Sequence, residues 1–202
     1  MEYYHNLIIQ KSWQLLQKLK QKYDFILIGG WAVFLYTKAL KSKDIDLVLD
    51  YPELEKFKED FSVFKNERLK KYEAKAEELE IDLYIPHYSN PGLPAEEVSK
   101  LTTSLEGFIV PQPEILAILK AKALSERKKS VKGRKDLIDL VSLFGLEEFD
   151  FKKLNDEVKK YKVGELLKTV KETLREVSQI EELNLNTHQM SQLKKKVLSQ
   201  LI

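Results

Sequence analysis

Hydrophobic and polar positions follow two periods along the chain, and the pattern changes near residue 112. From residue 2 to residue 22, apolar side chains recur at helical spacing among Lys and Gln, which predicts an amphipathic helix. The segment "DFILIGG" predicts a short buried strand closed by glycines, and "WAVFLYT" predicts a helix packed on the sheet. Next, "KDIDLVLD" alternates polar and apolar residues at its start, which is the period of a strand.

The middle of the chain predicts a further helix followed by extended segments. "PELEKFKEDFSVF", residues 52–64, returns to helical spacing with Pro52 in the first turn, where proline is tolerated. "RLKKYEAK" and "LEIDLYIP" are strand-like and are separated by "AEE", so we expect a hairpin. "LTTSLEGFIVPQP" is extended and punctuated by glycine and proline.

From Pro113 onward every long segment has helical periodicity with polar outer faces. These segments are "PEILAILKAKALSER", "KDLIDLVSLF", "FKKLNDEVKKY", "GELLKTVKETLREV" and "THQMSQLKKKVLSQLI". The sequence therefore predicts an α/β (α+β) fold, with a small mixed β-sheet core flanked by helices in residues 1–112. A C-terminal helical bundle follows in residues 113–202.

Composition narrows the classes of protein that this chain can belong to. Hydrophobic residues make up 43% of the 202 positions, which is ample for a folded core. The 34 Lys and Arg are balanced by 32 Asp and Glu, so the net charge of +2 gives no global field for nucleic acid. The sequence contains no Cys, its first residues do not resemble the charged and apolar regions of a signal peptide, and no apolar run comes near the roughly 20 residues that span a bilayer. We expect a cytoplasmic protein with no membrane partner; its many Lys and Glu are also typical of hyperthermophile proteins.

Aspartates interrupt two of the predicted strands. Asp44 and Asp46 share one side of a strand with Cα atoms about 7 Å apart, because alternate side chains face the same way. Asp82 lies between Ile81 and Leu83 in a second apolar strand. Close carboxylates repel each other unless a cation lies between them, and sites made only of oxygen ligands suit Mg²⁺. The pattern is consistent with a metal site made of these three aspartates.

Two simpler interpretations remain open at this point. Solvent-facing strand positions are often charged, and an Asp-x-Asp pair occurs by chance. Gly29 and Gly30 can let backbone N–H groups approach a phosphate, or they can form a plain strand-to-helix turn that needs positive φ. The combination of the glycines with the aspartates favours the functional interpretation.

Together, "GGWAVFLYTKALKSKDIDLVLD" and "EIDLYI" resemble the signature of the DNA polymerase β-like nucleotidyltransferase superfamily, in particular its AbiEii-like, minimal branch. The resemblance implies that Asp44, Asp46 and Asp82 are catalytic and hold Mg²⁺ or Mn²⁺. It also implies that the nucleotide phosphates contact the following residues: Gly29, Gly30, Ser42 and Lys43. AbiEii-like members commonly carry Arg four residues before the first aspartate, where this chain has Leu40.

The second half of the chain carries a further part of the resemblance. Related minimal nucleotidyltransferases have a helix with Lys and Arg, followed by a helix with a basic-Asp-x-x-Asp-Leu pattern. Here these are "PEILAILKAKALSER" and "GRKDLIDL". Lys120 and Arg127 are two helical turns apart and so share a face that can hold a triphosphate or an RNA backbone, or that is simply a solvated helix face. Asp136 and Asp139 can orient them, whereas Lys122 and Glu126 form an ordinary i, i+4 pair.

The resemblance implies a Mg²⁺-dependent transfer of a nucleoside monophosphate from an NTP to an acceptor hydroxyl, with release of pyrophosphate. Asp82 could also accept the proton of the acceptor. The acceptor can be RNA such as tRNA, a protein or a small molecule, and AbiEii-like relatives act as toxins, which implies a cognate antitoxin. A basic stretch, residues 126–135, is either an RNA-binding patch or a solvated loop. The rival hypothesis is a non-catalytic nucleotide-binding or regulatory protein that retains the fold, and the absence of Arg at Leu40 favours it.

Overall fold

The computed structural model describes the backbone of residues 2–128 and 130–202 and the side chains from Asn6 onward. The chain divides into two compact units, residues 1–112 and 113–202. Within the described residues, no helix combines the length and the apolar character that a membrane span requires.

The first unit combines a mixed sheet with helices, as predicted. Its helices are α1 (Glu2–Lys22), α2 (Gly29–Thr37), α3 (Tyr51–Asp60) and α4 (Ala95–Val98). Its strands are β1 (Ile26–Ile28), β2 (Ile45–Val48), β3 (Val63–Asn66), β4 (Lys71–Ala76), β5 (Leu79–Tyr84), β6 (Thr102–Leu105) and β7 (Phe108–Pro111). The sheet order is β3-β4-β5-β2-β1-β7-β6. Strands β2 and β5 are parallel, as are β1 and β7, and the other neighbours are antiparallel.

One face of the central strands forms the core of this unit. The fully buried side chains of β1, β2 and β5 on this face are Leu27, Ile45, Leu47, Ile81 and Leu83. Helix α2 packs against β1 and β2 and buries Trp31, whose indole N–H donates to Ser12 Oγ at 2.9 Å. Because side chains alternate along a strand, burying these residues turns the aspartates of β2 and β5 to the opposite face.

The helix predicted over residues 52–64 is too long. It ends at Asp60, and Val63 begins a strand that pairs with β4. The rings of Phe57 and Phe61 are stacked with centroids 4.5 Å apart, so helical spacing continues one residue past the helix. Pairing with β4 is a long-range interaction that periodicity does not reveal, and it outweighs the local pattern.

The second unit is helical, as predicted. Its helices are α5 (Pro113–Arg127), α6 (Val131–Phe144), α7 (Phe151–Lys160), α8 (Gly164–Glu176) and α9 (Thr187–Gln200), with a short 3-10 helix at Glu181–Leu183. Helix α5 packs against α6, α7 and α8. Side chains of Ser130, Asp150 and Asn186 cap the N-termini of α6, α7 and α9. The basic stretch at residues 126–135 extends from the end of α5 into the first turns of α6; its Lys129 lies outside the described residues.

Replacing Phe57 tests the core of the first unit. Phe57 is fully buried between the rings of Tyr23 and Phe61, so Phe57→Ala should lower the free energy of unfolding by about 3–5 kcal/mol. Urea denaturation followed by circular dichroism measures the change. Phe64→Ala is the matched control, because Phe64 is 63% exposed, and it should change stability by less than about 0.5 kcal/mol. Equal losses in the two variants would contradict this packing.

Candidate active site

The pairing of β2 with β5 brings two of the three aspartates side by side. Asp46 is directly opposite Asp82 on parallel strands, and Asp46 is also opposite Ile28 of β1. Neighbouring strands lie about 4.8 Å apart, so the two aspartates are adjacent on one face. Asp44 immediately precedes β2, and its charge acts on Asp82. The backbone therefore places all three residues on one local area of the sheet.

Gly29 is required by the position of Asp46. A Cβ atom added at Gly29 would lie 2.1 Å from Oδ2 of Asp46, and the residue has φ +67°. Both the contact and the positive φ exclude an ordinary side chain, so the structure bears out the turn interpretation. The group that approaches Gly29 is the Asp46 carboxylate, and the phosphate contact stays a prediction. Gly29 also opens α2, and Ile28 at the N-cap has no side-chain acceptor. The positive end of the α2 dipole therefore faces the Asp46 carboxylate.

Lys71 is a residue of this area that the sequence reasoning missed. Its Nζ lies 2.6 Å from Oδ2 of Asp82 and 3.2 Å from Oε1 of Glu73, which is opposite Asp82 on β4. Burial lowers the pKa of Lys71, but the hydrogen bond and charge of Asp82 outweigh burial and leave that pKa raised. The available signal was the alternation of Lys71, Glu73 and Lys75 in a strand already predicted to pair with that of Asp82.

The environment of Asp82 shows that this face needs positive charge. Burial raises the pKa of Asp82, Lys71 opposes that rise, and the charges of Glu73 and Asp44 add to it. The Lys71 ammonium thus supplies the positive charge that a group of neighbouring carboxylates requires.

The donor chemistry of the three aspartates fits a hard divalent cation, since carboxylate oxygens are the ligands that Mg²⁺ and Mn²⁺ prefer. In this structure the ammonium of Lys71 is the cation that contacts the Asp82 carboxylate. Across the described part of the chain, no three His, Cys, Asp or Glu side chains are arranged as a metal-binding group as they stand. A metal ion bound through Oδ2 of Asp82 would have to displace the Lys71 ammonium.

The other residues expected at the phosphates differ in accessibility. Gly30 is buried in the first turn of α2, and Ser42 is enclosed in the segment before β2. Lys43 is exposed. A ligand can reach the Lys43 side chain directly, whereas the Ser42 hydroxyl would first have to be uncovered.

Lys120 and Arg127 belong to a buried ion cluster in the second unit. Nζ of Lys120 lies 3.2 Å from Oδ1 of Asp136 and 2.6 Å from Oδ2 of Asp139. Arg127 donates to both oxygens of Asp136, at 2.7 and 3.1 Å. The Lys120 side chain is 9% exposed and that of Arg127 is 41% exposed. Asp136 and Asp139 thus orient both bases, and Arg127 is the one that solvent reaches.

Asp139 is the least compensated member of this cluster. Its cation partner is Lys120, whose Nζ lies 2.6 Å from Oδ2, and within the described residues no group forms a well-aligned hydrogen bond to either carboxylate oxygen. Burial raises the pKa of Asp139, and the charge of Lys120 partly offsets that rise. Lys120 therefore contacts both carboxylates, and Arg127 contacts Asp136 as well.

Comparisons with known proteins show the fold of this chain and do not assign it to a family. No protein-family model matches the chain, and no curated protein matches it.

Solved structures do resemble this chain. JHP933 from Helicobacter pylori aligns with a TM-score of 0.53 at 14% identity, over 95% of this chain and 91% of JHP933. A Helicobacter pylori protein described as a "putative nucleotidyltransferase" aligns with a TM-score of 0.52 at 17% identity, over 96% of this chain and 93% of that one. An antigenic nucleotidyltransferase-like protein from Paracoccidioides brasiliensis aligns over 81% of this chain and 92% of its own, at 20% identity and with a lower TM-score of 0.42. The chain therefore has a mixed α/β fold like that of the Helicobacter pylori proteins.

Proposed function

We propose that this protein is a Mg²⁺-dependent nucleotidyltransferase, which transfers a nucleoside monophosphate from an NTP to an acceptor hydroxyl. The observation that carries the proposal is the direct register of Asp46 with Asp82 on parallel strands, with Gly29 packed on the Asp46 carboxylate. Such an arrangement combines a carboxylate cation site with a helix N-terminus suited to phosphate. The shared fold with a protein described as a "putative nucleotidyltransferase" supports the same function.

In this proposal Asp44, Asp46 and Asp82 hold Mg²⁺ or Mn²⁺, and the N-terminus of α2 at Gly29 and Gly30 orients the phosphates. When bound, the ions would neutralise charge on the attacking and leaving oxygens. The acceptor oxygen forms a bond to the α-phosphorus, the bond to the pyrophosphate oxygen breaks, and Asp82 takes the proton of the hydroxyl. Catalysis then depends mainly on alignment and charge neutralisation.

The nucleotide contacts of the second unit form a separate part of the proposal. Arg127 is partly exposed and already held in a fixed orientation by Asp136, which suits bidentate binding of a phosphate. Lys120 is enclosed between Asp136 and Asp139, so its contribution is to hold that pair and, through it, Arg127. Of the two residues, Arg127 is thus the stronger candidate for direct triphosphate contact.

A non-catalytic nucleotide-binding protein with this fold is the second candidate function. The observation that favours it is the ion pair of Lys71 with Asp82, which satisfies the third aspartate without a metal. Leu40, at the position where related proteins commonly have Arg, points in the same direction. Any role as a toxin with a cognate antitoxin remains a proposal from the resemblance.

Millimolar Mg²⁺ or Mn²⁺ should raise Tm of the wild type and not of a variant carrying both Asp44→Asn and Asp46→Asn, because the metal binds the folded protein through these carboxylates.

Asp46→Asn should abolish transfer of label from [α-³²P]NTP to any acceptor in total RNA or protein, because the cation site at the α-phosphate is lost. Asp24→Asn is the control for both measurements, since Asp24 is exposed just before β1, away from the row of carboxylates. Labelling that persists in Asp46→Asn would contradict the proposed site. Nucleotide binding without labelling by the wild type would favour the second candidate function.

Arg127→Ala should weaken NTP binding about 10- to 100-fold, the loss expected for one or two charged hydrogen bonds. It should also lower the free energy of unfolding, because buried Asp136 loses both hydrogen bonds from Arg127, so NTP binding is measured where urea denaturation shows the variant to be folded. Lys120→Met should destabilise the protein by roughly 3–5 kcal/mol, since it leaves Asp139 buried without its cation, and it should affect NTP binding less. Calorimetric titration with NTP and urea denaturation separate the two effects.

Lys122→Ala is the matched control on the same helix, because Lys122 pairs with Glu126 at the surface and should change neither quantity appreciably. Wild-type NTP affinity in Arg127→Ala would remove Arg127 from the proposed binding site. Wild-type stability in Lys120→Met would contradict the buried ion cluster.

A further inference from the structure

One row of residues crosses four neighbouring strands on the carboxylate face of the first unit. Phe64 of β3 is opposite Glu73 of β4, Glu73 is opposite Asp82 of β5, and Asp82 is opposite Asp46 of β2. Residues in register on neighbouring strands project from the same face at intervals of about 4.8 Å. An aromatic ring therefore stands in line with the two aspartates, roughly 10 Å from Asp82.

Phe64 is unusual for the degree to which its ring faces solvent. Among the described side chains, Phe64 is the most exposed aromatic residue, with 63% of its surface accessible. It lies on β3, a strand at the edge of the sheet. Within the described residues, Phe64 makes no contact with another aromatic ring. Ring packing among the described residues thus gives no reason for an aromatic residue at this position.

The hairpin that carries Phe64 is basic. Residues 63–76 contain five basic residues, Lys65, Arg68, Lys70, Lys71 and Lys75, against two acidic ones, Glu67 and Glu73, which gives a net charge of +3. The whole chain has a net charge of only +2, so the rest of the chain is slightly acidic. Within the described residues, Arg68 and Lys75 form no salt bridge. By strand alternation Lys71 and Lys75 share the face of Phe64, whereas Lys65 lies over the Tyr88 ring on the other face. Positive charge on the same face as an exposed aromatic ring is the pattern of a single-stranded nucleic-acid surface.

The proposed reaction fixes the side from which an acceptor approaches, and this step rests on the proposed function. Gly29, where the phosphates are expected, lies on the β1 side of Asp46. Attacking and leaving oxygens are roughly in line in phosphoryl transfer. If pyrophosphate leaves toward β1, then the acceptor hydroxyl arrives from the β5 side, where β4 and β3 follow.

We propose that Phe64 and the basic β3–β4 hairpin form the acceptor-binding surface, on which a base near the end of a single-stranded RNA stacks. Stacking on an aromatic ring is tolerant of sequence, and Arg68 and Lys75 contact the backbone phosphates. Phe64 positions the acceptor and takes no part in the chemistry.

Binding of RNA tests this surface without any need for catalysis. The probe is a 5′-fluorescein-labelled single-stranded RNA of twelve nucleotides with randomised sequence, followed by fluorescence anisotropy with the full chain. Phe64→Ala should raise Kd about 5- to 100-fold, the effect expected from loss of one stacked base, and Phe64→Trp should restore binding. Tyr51→Ala is the matched control. Tyr51 is an exposed aromatic residue, 49% accessible, and it lies at the start of α3, after the C-terminal end of β2, whereas Asp44 lies before the N-terminal end. Loss of Tyr51 should leave Kd unchanged.

Salt dependence separates stacking from charge. Lys75→Ala should reduce the slope of log Kd against log salt by roughly 0.7, the value for one phosphate contact on a single strand, and Phe64→Ala should leave the slope unchanged. A wild-type protein that does not bind the RNA, or a Phe64→Ala variant that binds it as the wild type does, would overturn the proposal. So would a Phe64→Ala variant that loses NTP affinity and keeps RNA affinity, because Phe64 would then contact the nucleotide.

Failure of the proposed function gives a different result. RNA binding that depends on Phe64, in a protein that labels no acceptor, would leave this surface intact and remove only the transferase activity. Label transfer that depends on Asp46 but is unaffected by Phe64→Ala at subsaturating RNA would keep the activity and remove this surface.

Discussion

Repulsion between neighbouring carboxylates is the constraint that the folded first unit has to offset. Asp46 and Asp82 are held opposite each other by parallel pairing of β2 and β5, with Asp44 two residues from Asp46. Like charges this close destabilise the folded chain unless positive charge is near. The structure provides it twice, through the Lys71 ammonium at Asp82 and through the N-terminus of α2 at Asp46. A fold that maintains such an arrangement is suited to holding a cation, and this is the physical basis of the proposed transferase function.

The hydrophobic face of the same strands keeps the aspartates in register. Ile45, Leu47, Ile81 and Leu83 are fully buried, and a shift of one residue in either strand would expose that strand's apolar side chains and bury its aspartates. Core packing therefore sets the positions of the carboxylates. The same register continues outward to β4 and β3, so the core also determines which residues stand beside the aspartates.

Several parts of the fold could be predicted because the local pattern and the tertiary structure agree. The alternation around Asp46 and the helical spacing after Pro113 each reflect one buried face, and the bounds of α5 match that spacing. Strand β3 could not be predicted, since Phe61 continues the helical spacing of Phe57 and only pairing with β4 ends the helix. The contact of Lys71 with Asp82 was missed for a related reason, because it depends on the register between strands, which a single sequence specifies only indirectly.

The central claim is that the carboxylate face of β2 and β5 binds a divalent cation. Anomalous diffraction from crystals soaked in Mn²⁺ with a non-hydrolysable NTP analogue tests it most directly, because Mn²⁺ has a scattering signal that identifies the ion. The account predicts an anomalous peak in contact with Asp46 and Asp82, with Lys71 displaced from Asp82. Saturating Mn²⁺ with no peak at these residues, and Lys71 still bound to Asp82, would contradict it.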